Sequence, residues 1–271
     1  MSASGWSISL LRVKGRCSRT WNASQIPRVS SRQGRSHDMP HQGNGGKSIV
    51  YELPKLSKPI PYRKSDLYKS FGYYTETDDV RGGMGLEGAA EFQKFVDEGG
   101  TLVTLGMASA FPSEFGIAKG VDTQAVAPGF YGPGPYVQSE LLIPTHPVLY
   151  GYTEKHVAVR YAGGPLLQAG PPADAPPPPN FSPYKPQVVA RFVGGDASVL
   201  SGVMRGADQI RNRPMIVDAP SGQGHVLLFA TNPIYRWQTF GEHAMVFNAL
   251  LFWNDFPAEA PPAPKPATAG Q

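Results

Sequence analysis

Residues 86–105 carry the clearest change of hydrophobic period in the chain. Leu86, Ala89, Ala90, Phe92, Gln93, Val96 and Asp97 place their apolar members on one helical side, so residues 86–98 are predicted as an amphipathic helix. Gly99-Gly100 ends it, because glycine adopts the left-handed cap conformation without a steric penalty. Thr101-Leu102-Val103-Thr104-Leu105 then reads as a strand closing at Gly106. Helix, glycine pair and apolar strand in this order are one turn of an α/β layer fold.

Further along, the pattern thins and then recovers. Residues 115–159 read as irregular, with short extended pieces at 139–143 and 156–160 between Pro and Gly. Residues 170–186, which contain Pro176 to Pro179, read as a proline-rich exposed loop. Strands are predicted at 188–193, 215–217 and 225–230. The last two flank Pro220-Ser221-Gly222-Gln223-Gly224, a five-residue hairpin connection. Val226-Leu227-Leu228-Phe229-Ala230 does not alternate, so both of its faces are expected to be buried. A closing helix is predicted over 242–253, where Met245, Val246, Ala249, Leu250 and Trp253 recur at helical spacing.

The ends look different. Residues 1–47 have no sustained period and finish in Gly43-Asn44-Gly45-Gly46, and the Pro and Ala rich residues 257–271 also lack one, so both are expected to be disordered tails. Residues 48–77 open on Ile49-Val50-Tyr51 and then carry Pro54, Pro59 and Pro61, which predicts an extended segment over a surface. One domain spanning residues 48–256 follows from these boundaries.

Charge changes the picture in one respect. Lys and Arg total 25 against 21 Asp and Glu, yet residues 1–48 hold eight of the bases and only Asp38 as an acid. The excess belongs to the tail and not to a folded basic face, so no nucleic-acid partner is expected. The tail imitates an organelle transit peptide in composition, and a disordered or mis-assigned start explains it as well. Cys17 is the only cysteine, which excludes an internal disulfide and a multi-cysteine metal site. No apolar run approaches the ~18 residues of a membrane span.

A carboxypeptidase-type zinc site needs His and Glu three apart. The residues three after His37, His41, His146, His156, His225 and His243 are Pro40, Asn44, Leu149, Val159, Leu228 and Val246, none of them acidic. No metal site is therefore expected on this chain. The strand at 101–105 ends where an α/β hydrolase or amidotransferase sets its nucleophile on a sharp turn. Positions 108 and 110 there are both Ala, with Ser109 one residue out of step. Ser109 is thus either a divergent nucleophile served by His243 or His225, or a loop serine bonding local backbone. Glu242 and His243 are adjacent on a helix and point about 100° apart, so they are expected to be a helix-terminal acid and a solvated imidazole instead of a relay. The loop after the buried strand gathers Tyr235, Arg236, Trp237 and Gln238, and loops at strand ends are where α/β folds bind ligands. Packing of Trp237 and local pairing of Arg236 account for the same residues.

Several stretches together carry a family pattern. Lys58 to Tyr62, Asp79 to Gly85, Phe95 to Leu102, Glu114 to Gly116, Phe130 to Pro135, Arg211 to Pro214 and Gly224 to Leu251 resemble the C-terminal region of large bacterial zinc carboxypeptidase A-like metallopeptidases. The resemblance covers about residues 49–255. It implies a class I glutamine amidotransferase-like domain, a flavodoxin-like layered sheet with flanking helices, here incomplete. It also implies an exported parent with a zinc peptidase domain upstream, the zinc belonging to that domain and the peptidase domain being this module's partner. A peptide or a sugar is the ligand class expected. Residues 1–47 do not match, so the chain reads as a fragment with an altered start. An incomplete parallel sheet is then expected to expose strand edge or apolar surface.

Overall fold

The computed structural model describes residues 10–13, 45–50, 61–69, 76–78, 83–170 and 186–256. Its centre is built from the apolar strands. Leading into them, α2 (Gly85–Asp97) buries Ala89, Phe95 and Val96, and β2 (Thr101–Leu105) is buried at every position. β9 (Pro214–Ser221) and β10 (Gly224–Phe229) form an antiparallel hairpin, with all of β10 buried. The connection is two residues, Gly222 and Gln223, and not five, because pairing continues to Ser221 and Gly224. Gly222 has φ +62°, which suits such a short turn. A Cβ at Gly224 would lie 2.2 Å from the Gly100 carbonyl oxygen, so the hairpin can approach the end of α2 only without a side chain there.

The remaining elements complete a mixed α/β layered sheet with flanking helices. They are β1 (Leu10–Val13), α1 (Gly45–Val50), α3 (Ala110–Glu114), β3 (Val121–Gln124), β4 (Tyr136–Leu141), β5 (His156–Arg160), β6 (Leu166–Ala169), β7 (Gln187–Phe192), β8 (Val199–Ser201) and α4 (Phe240–Leu251). Eight strands make the main sheet in the order β1-β2-β10-β9-β7-β4-β5, with β8 pairing beside β4, and β3 and β6 form a separate pair. β2 and β10 are parallel, whereas β10–β9, β9–β7, β7–β4 and β4–β5 are antiparallel. The expected parallel arrangement therefore holds at the centre and not across the sheet.

Three further expectations are corrected. Ile49 and Val50 end the helix α1 and are buried, so they do not begin an extended segment. Within the stretch expected to be unstructured, Leu10–Val13 pairs antiparallel with β2 and covers the edge that an incomplete sheet would expose. Among the described residues of the segment 48–77, Tyr62 and Thr77 form an antiparallel bridge. The proline-rich residues 171–185 and the tail 257–271 lie outside the described residues. No helix among the described residues is long and apolar enough to cross a membrane.

Candidate functional site

The parallel pair places two chain ends side by side. β2 runs into a 3₁₀ turn at Gly106–Ser109, and β10 runs into the loop that precedes α4. The Gly106 amide donates to the Thr231 carbonyl at 2.8 Å, tying the two exits together. Gly106 has φ +58°, so the chain leaves β2 sharply. This is the strand-end crevice where layered α/β folds receive ligands.

Ser109 sits at the end of that turn, fully buried. Its hydroxyl donates to the Phe229 carbonyl at 2.8 Å and lies 3.1 Å from Thr104 Oγ1. Thr104 in turn donates to the Leu227 carbonyl. Two hydroxyls are thus used to fasten β2 to β10 by way of backbone oxygens. His225 is the second residue of β10, four before Phe229, which separates it from Ser109 by roughly 13 Å of strand. His243 is buried, not solvated as its helix position implied, and packs edge-on against Phe240 and Trp237 with ring centroids 5.2 and 5.6 Å apart.

Glu242 is the unexpected centre of this end of the molecule. It stands in the first turn of α4 but is fully buried, accepting from the Arg160 backbone amide at 2.7 Å and from Thr231 Oγ1 at 3.1 Å. Burial pushes its carboxyl up to about 7, although the Arg160 amide and Thr231 hydroxyl oppose the shift. Arg160 ends β5 and Thr231 follows β10, strands that four spacings of ~4.8 Å would hold about 19 Å apart in a flat sheet. One carboxylate reaching both means that the sheet curls, with Glu242 clasping its two sides.

Around the clasp, the Arg160 guanidinium lies over the Tyr235 ring at 3.9 Å from its centroid. Arg236 and Trp237 follow in left-handed backbone conformation, φ 48° and 56°, and both side chains are exposed together with Gln238. Two consecutive non-glycine residues held this way store strain in the loop. Asn232 Oδ1, beneath the loop, is buried with no hydrogen-bond partner among the described residues. The geometry therefore sets an aromatic and cationic wall at the end of the parallel strands, over a buried acid and a buried amide oxygen that has no partner among the described residues. It brings Tyr235 together with Arg160, a residue that sequence reasoning passed over, and leaves Ser109 below, committed to the sheet.

A second polar cluster lies at the opposite end of β10. Asp218 accepts from His225 Nδ1 at 2.8 Å and from His146 Nε2 at 3.1 Å, and Val148 N donates to His146 Nδ1. Burial alone would push Asp218 up, but the two imidazole hydrogen bonds outweigh it and hold the carboxyl below its ordinary range. Phe256 covers both rings at 5.3 and 5.4 Å. The signal for this cluster was present in the sequence: Asp218 is a lone carboxylate inside Met215-Ile216-Val217-Asp218-Ala219, and such a group demands partners. Among the described residues, no group of three or more His, Cys, Asp and Glu is arranged to hold a metal ion.

No protein-family model matches the chain, and no curated protein matches it either. Among solved structures, it is similar to two cytoplasmic proteins of Salmonella typhimurium. The first is 16% identical with a TM-score of 0.38, covering 61% of this chain and 60% of that one. The second is 15% identical with a TM-score of 0.39, covering 67% and 62%. The chain thus spans less than two thirds of the length of either. It is also similar to a ThuA-like protein of Parabacteroides merdae, 14% identical with a TM-score of 0.39, over 66% of this chain and 69% of that one. ThuA-like proteins have the class I glutamine amidotransferase-like fold.

Proposed function

We propose that this chain is a non-catalytic, amidotransferase-like binding module, and that its ligand seat is the mouth formed by Arg160, Asn232, Tyr235, Trp237 and Gln238. The observation that carries the reading is the commitment of Ser109. A nucleophile must be exposed to substrate and within hydrogen-bond reach of a base. Ser109 is fully buried and its hydroxyl proton is used on the Phe229 carbonyl. A peptide or a sugar is the ligand class that an exposed indole, amide groups and a guanidinium would take together, since the indole supplies a stacking face, the amides neutral polar recognition and the guanidinium N–H donors for hydroxyl, carbonyl or carboxylate oxygens.

The wider reading is that the module accompanies a zinc carboxypeptidase-like domain in an exported parent, with no cofactor of its own and the zinc held by the peptidase domain. It rests on the sequence resemblance over residues 49–255. The test is titration of isotope-labelled protein with oligosaccharide and short-peptide panels, read at the Trp237 indole and the Asn232 and Gln238 amides. Shifts confined to these groups, and lost in Arg160→Met, are expected. Removal of C-terminal residues from peptides by the purified chain in a chelator-sensitive manner would overturn the reading. So would an esterase activity that Ser109→Ala abolishes without lowering the unfolding temperature.

A further inference from the structure

Helix α4 is inside out. Its polar side chains, Glu242, His243 and Asn248, are all buried. Glu242 and His243 are placed as described above, and Asn248 Nδ2 donates to the carbonyls of Val148 and Tyr150. Its exposed positions are instead Phe240, Gly241, Ala244, Phe247 and Leu251, so the outward face of this helix carries no polar side chain at all. Phe240 is 69% exposed, Phe247 53% and Leu251 70%, and Trp237, 74% exposed, continues the stripe at one end. A helix that spends its polar residues inward and presents aromatics outward is partnered on both sides.

We infer that this face pairs with the same face of a second copy of the chain, the two α4 helices packing antiparallel about a twofold axis. The spacing argues for it. Phe240, Ala244, Phe247 and Leu251 are separated by four, three and four residues, an order that reads the same from either end. A twofold axis at the middle of the stripe therefore sets Phe240 against Leu251 of the other copy, and Phe247 against Ala244. At each inner contact a ring enters the gap left by a methyl group, which is the self-complementarity that a twofold interface requires. The four large side chains expose on the order of 500 Å² of apolar surface per copy, so a pair buries about 1,000 Å², the threshold for a specific interface. Neighbouring exposed positions of the helix add no like charges that would repel across the axis.

The stripe shares only Trp237 with the strand-end mouth, and the variants below lie on α4 outside that mouth, so their failure is distinguishable from a failure of the ligand reading. Sedimentation velocity of the full chain over a concentration series is expected to approach twice 29.2 kDa. Phe247→Glu puts a charge at the axis and is expected to weaken association at least about 100-fold, while at concentrations where both proteins are monomeric their unfolding temperatures agree, since the position is 53% exposed in one copy. Ala244→Glu is the second variant and should act in the same way. The double variant A244K/F247E sets opposite charges against each other at both inner contacts and is expected to recover the dimer. A chain that stays monomeric throughout overturns the inference. So does a dimer that survives both single variants, or a double variant that associates no better than they do. Binding of a separate protein domain by a monomeric chain, lost in Phe247→Glu, would assign the face to that domain instead and equally overturn it.

Discussion

The two ends of β10 each bury one carboxylate, and they treat it oppositely. Beside His225 near the start of the strand, Asp218 of β9 receives two imidazole N–H donors and is held below its ordinary range. At the other end, Glu242 receives one backbone amide and one hydroxyl, and burial drives it up to about 7. Each receives two donors, so their kind and not their number decides the sign: a carboxylate in a dry site stays ionised only where its hydrogen bonds outweigh desolvation. The first end is closed beneath Phe256 and reads as structure. The second has strained backbone, an amide oxygen unpaired among the described residues and exposed aromatics, and reads as a place for a ligand.

The contrast is broken most severely at the closed end. Asp218→Ala removes the acceptor and leaves two buried imidazoles without it, so a loss of about 3–5 kcal/mol is expected in urea unfolding near neutral pH. Because the folded carboxyl lies low, the stability it brings is present above its ordinary pKa and disappears as pH falls through the folded value. The variant should therefore also lose that acid-side dependence.

Glu242 carries the opposite sign. Its folded pKa is raised, so its contribution is full below about 4.5 and is lost as pH rises through about 7. Glu242→Gln keeps the shape and cannot ionise. It is expected to be more stable than the parent by about 3 kcal/mol at pH 8, with the two converging near pH 4. Equal slopes in the two proteins would mean that the carboxyl is ordinary and that the two ends do not differ. Ser109→Ala should cost about 1–2 kcal/mol by leaving the buried Phe229 carbonyl without its donor, with no hydrolytic activity changed. Smallest of all, Arg236→Gly relieves one left-handed residue and should stabilise by about 0.5–1 kcal/mol, sharpening the view that the loop holds strain.

The local elements were legible where period and punctuation agreed. Thr101–Leu105 and His156–Arg160 have the boundaries that their patterns gave, and α2 differs from its prediction by one residue at each end. Strand direction was not legible, because β10 is buried on both faces and its composition is the same whether its neighbour runs with it or against it. The site was half legible. Tyr235 and its loop followed from the position after a buried strand, but their partner Arg160 stands 75 positions earlier at the end of another strand and is reached only because the sheet curls. Glu242 misled for a related reason: a helix-terminal acid is ordinarily solvated, and only tertiary structure places β5 over it.

The two-residue turn at Gly222 and Gln223 fixes an order of assembly. β9 and β10 are neighbours in sequence, so their hairpin closes a short loop and can form on the microsecond scale. β2 joins β10 in parallel register with Thr101 opposite His225, which requires the whole intervening chain to be brought round first. The hairpin is therefore the template and the parallel pairing the slow step. Ser109, whose hydroxyl spans that junction, becomes a reporter on the slow step: a mutation there should slow folding, with the remainder of its cost appearing as faster unfolding.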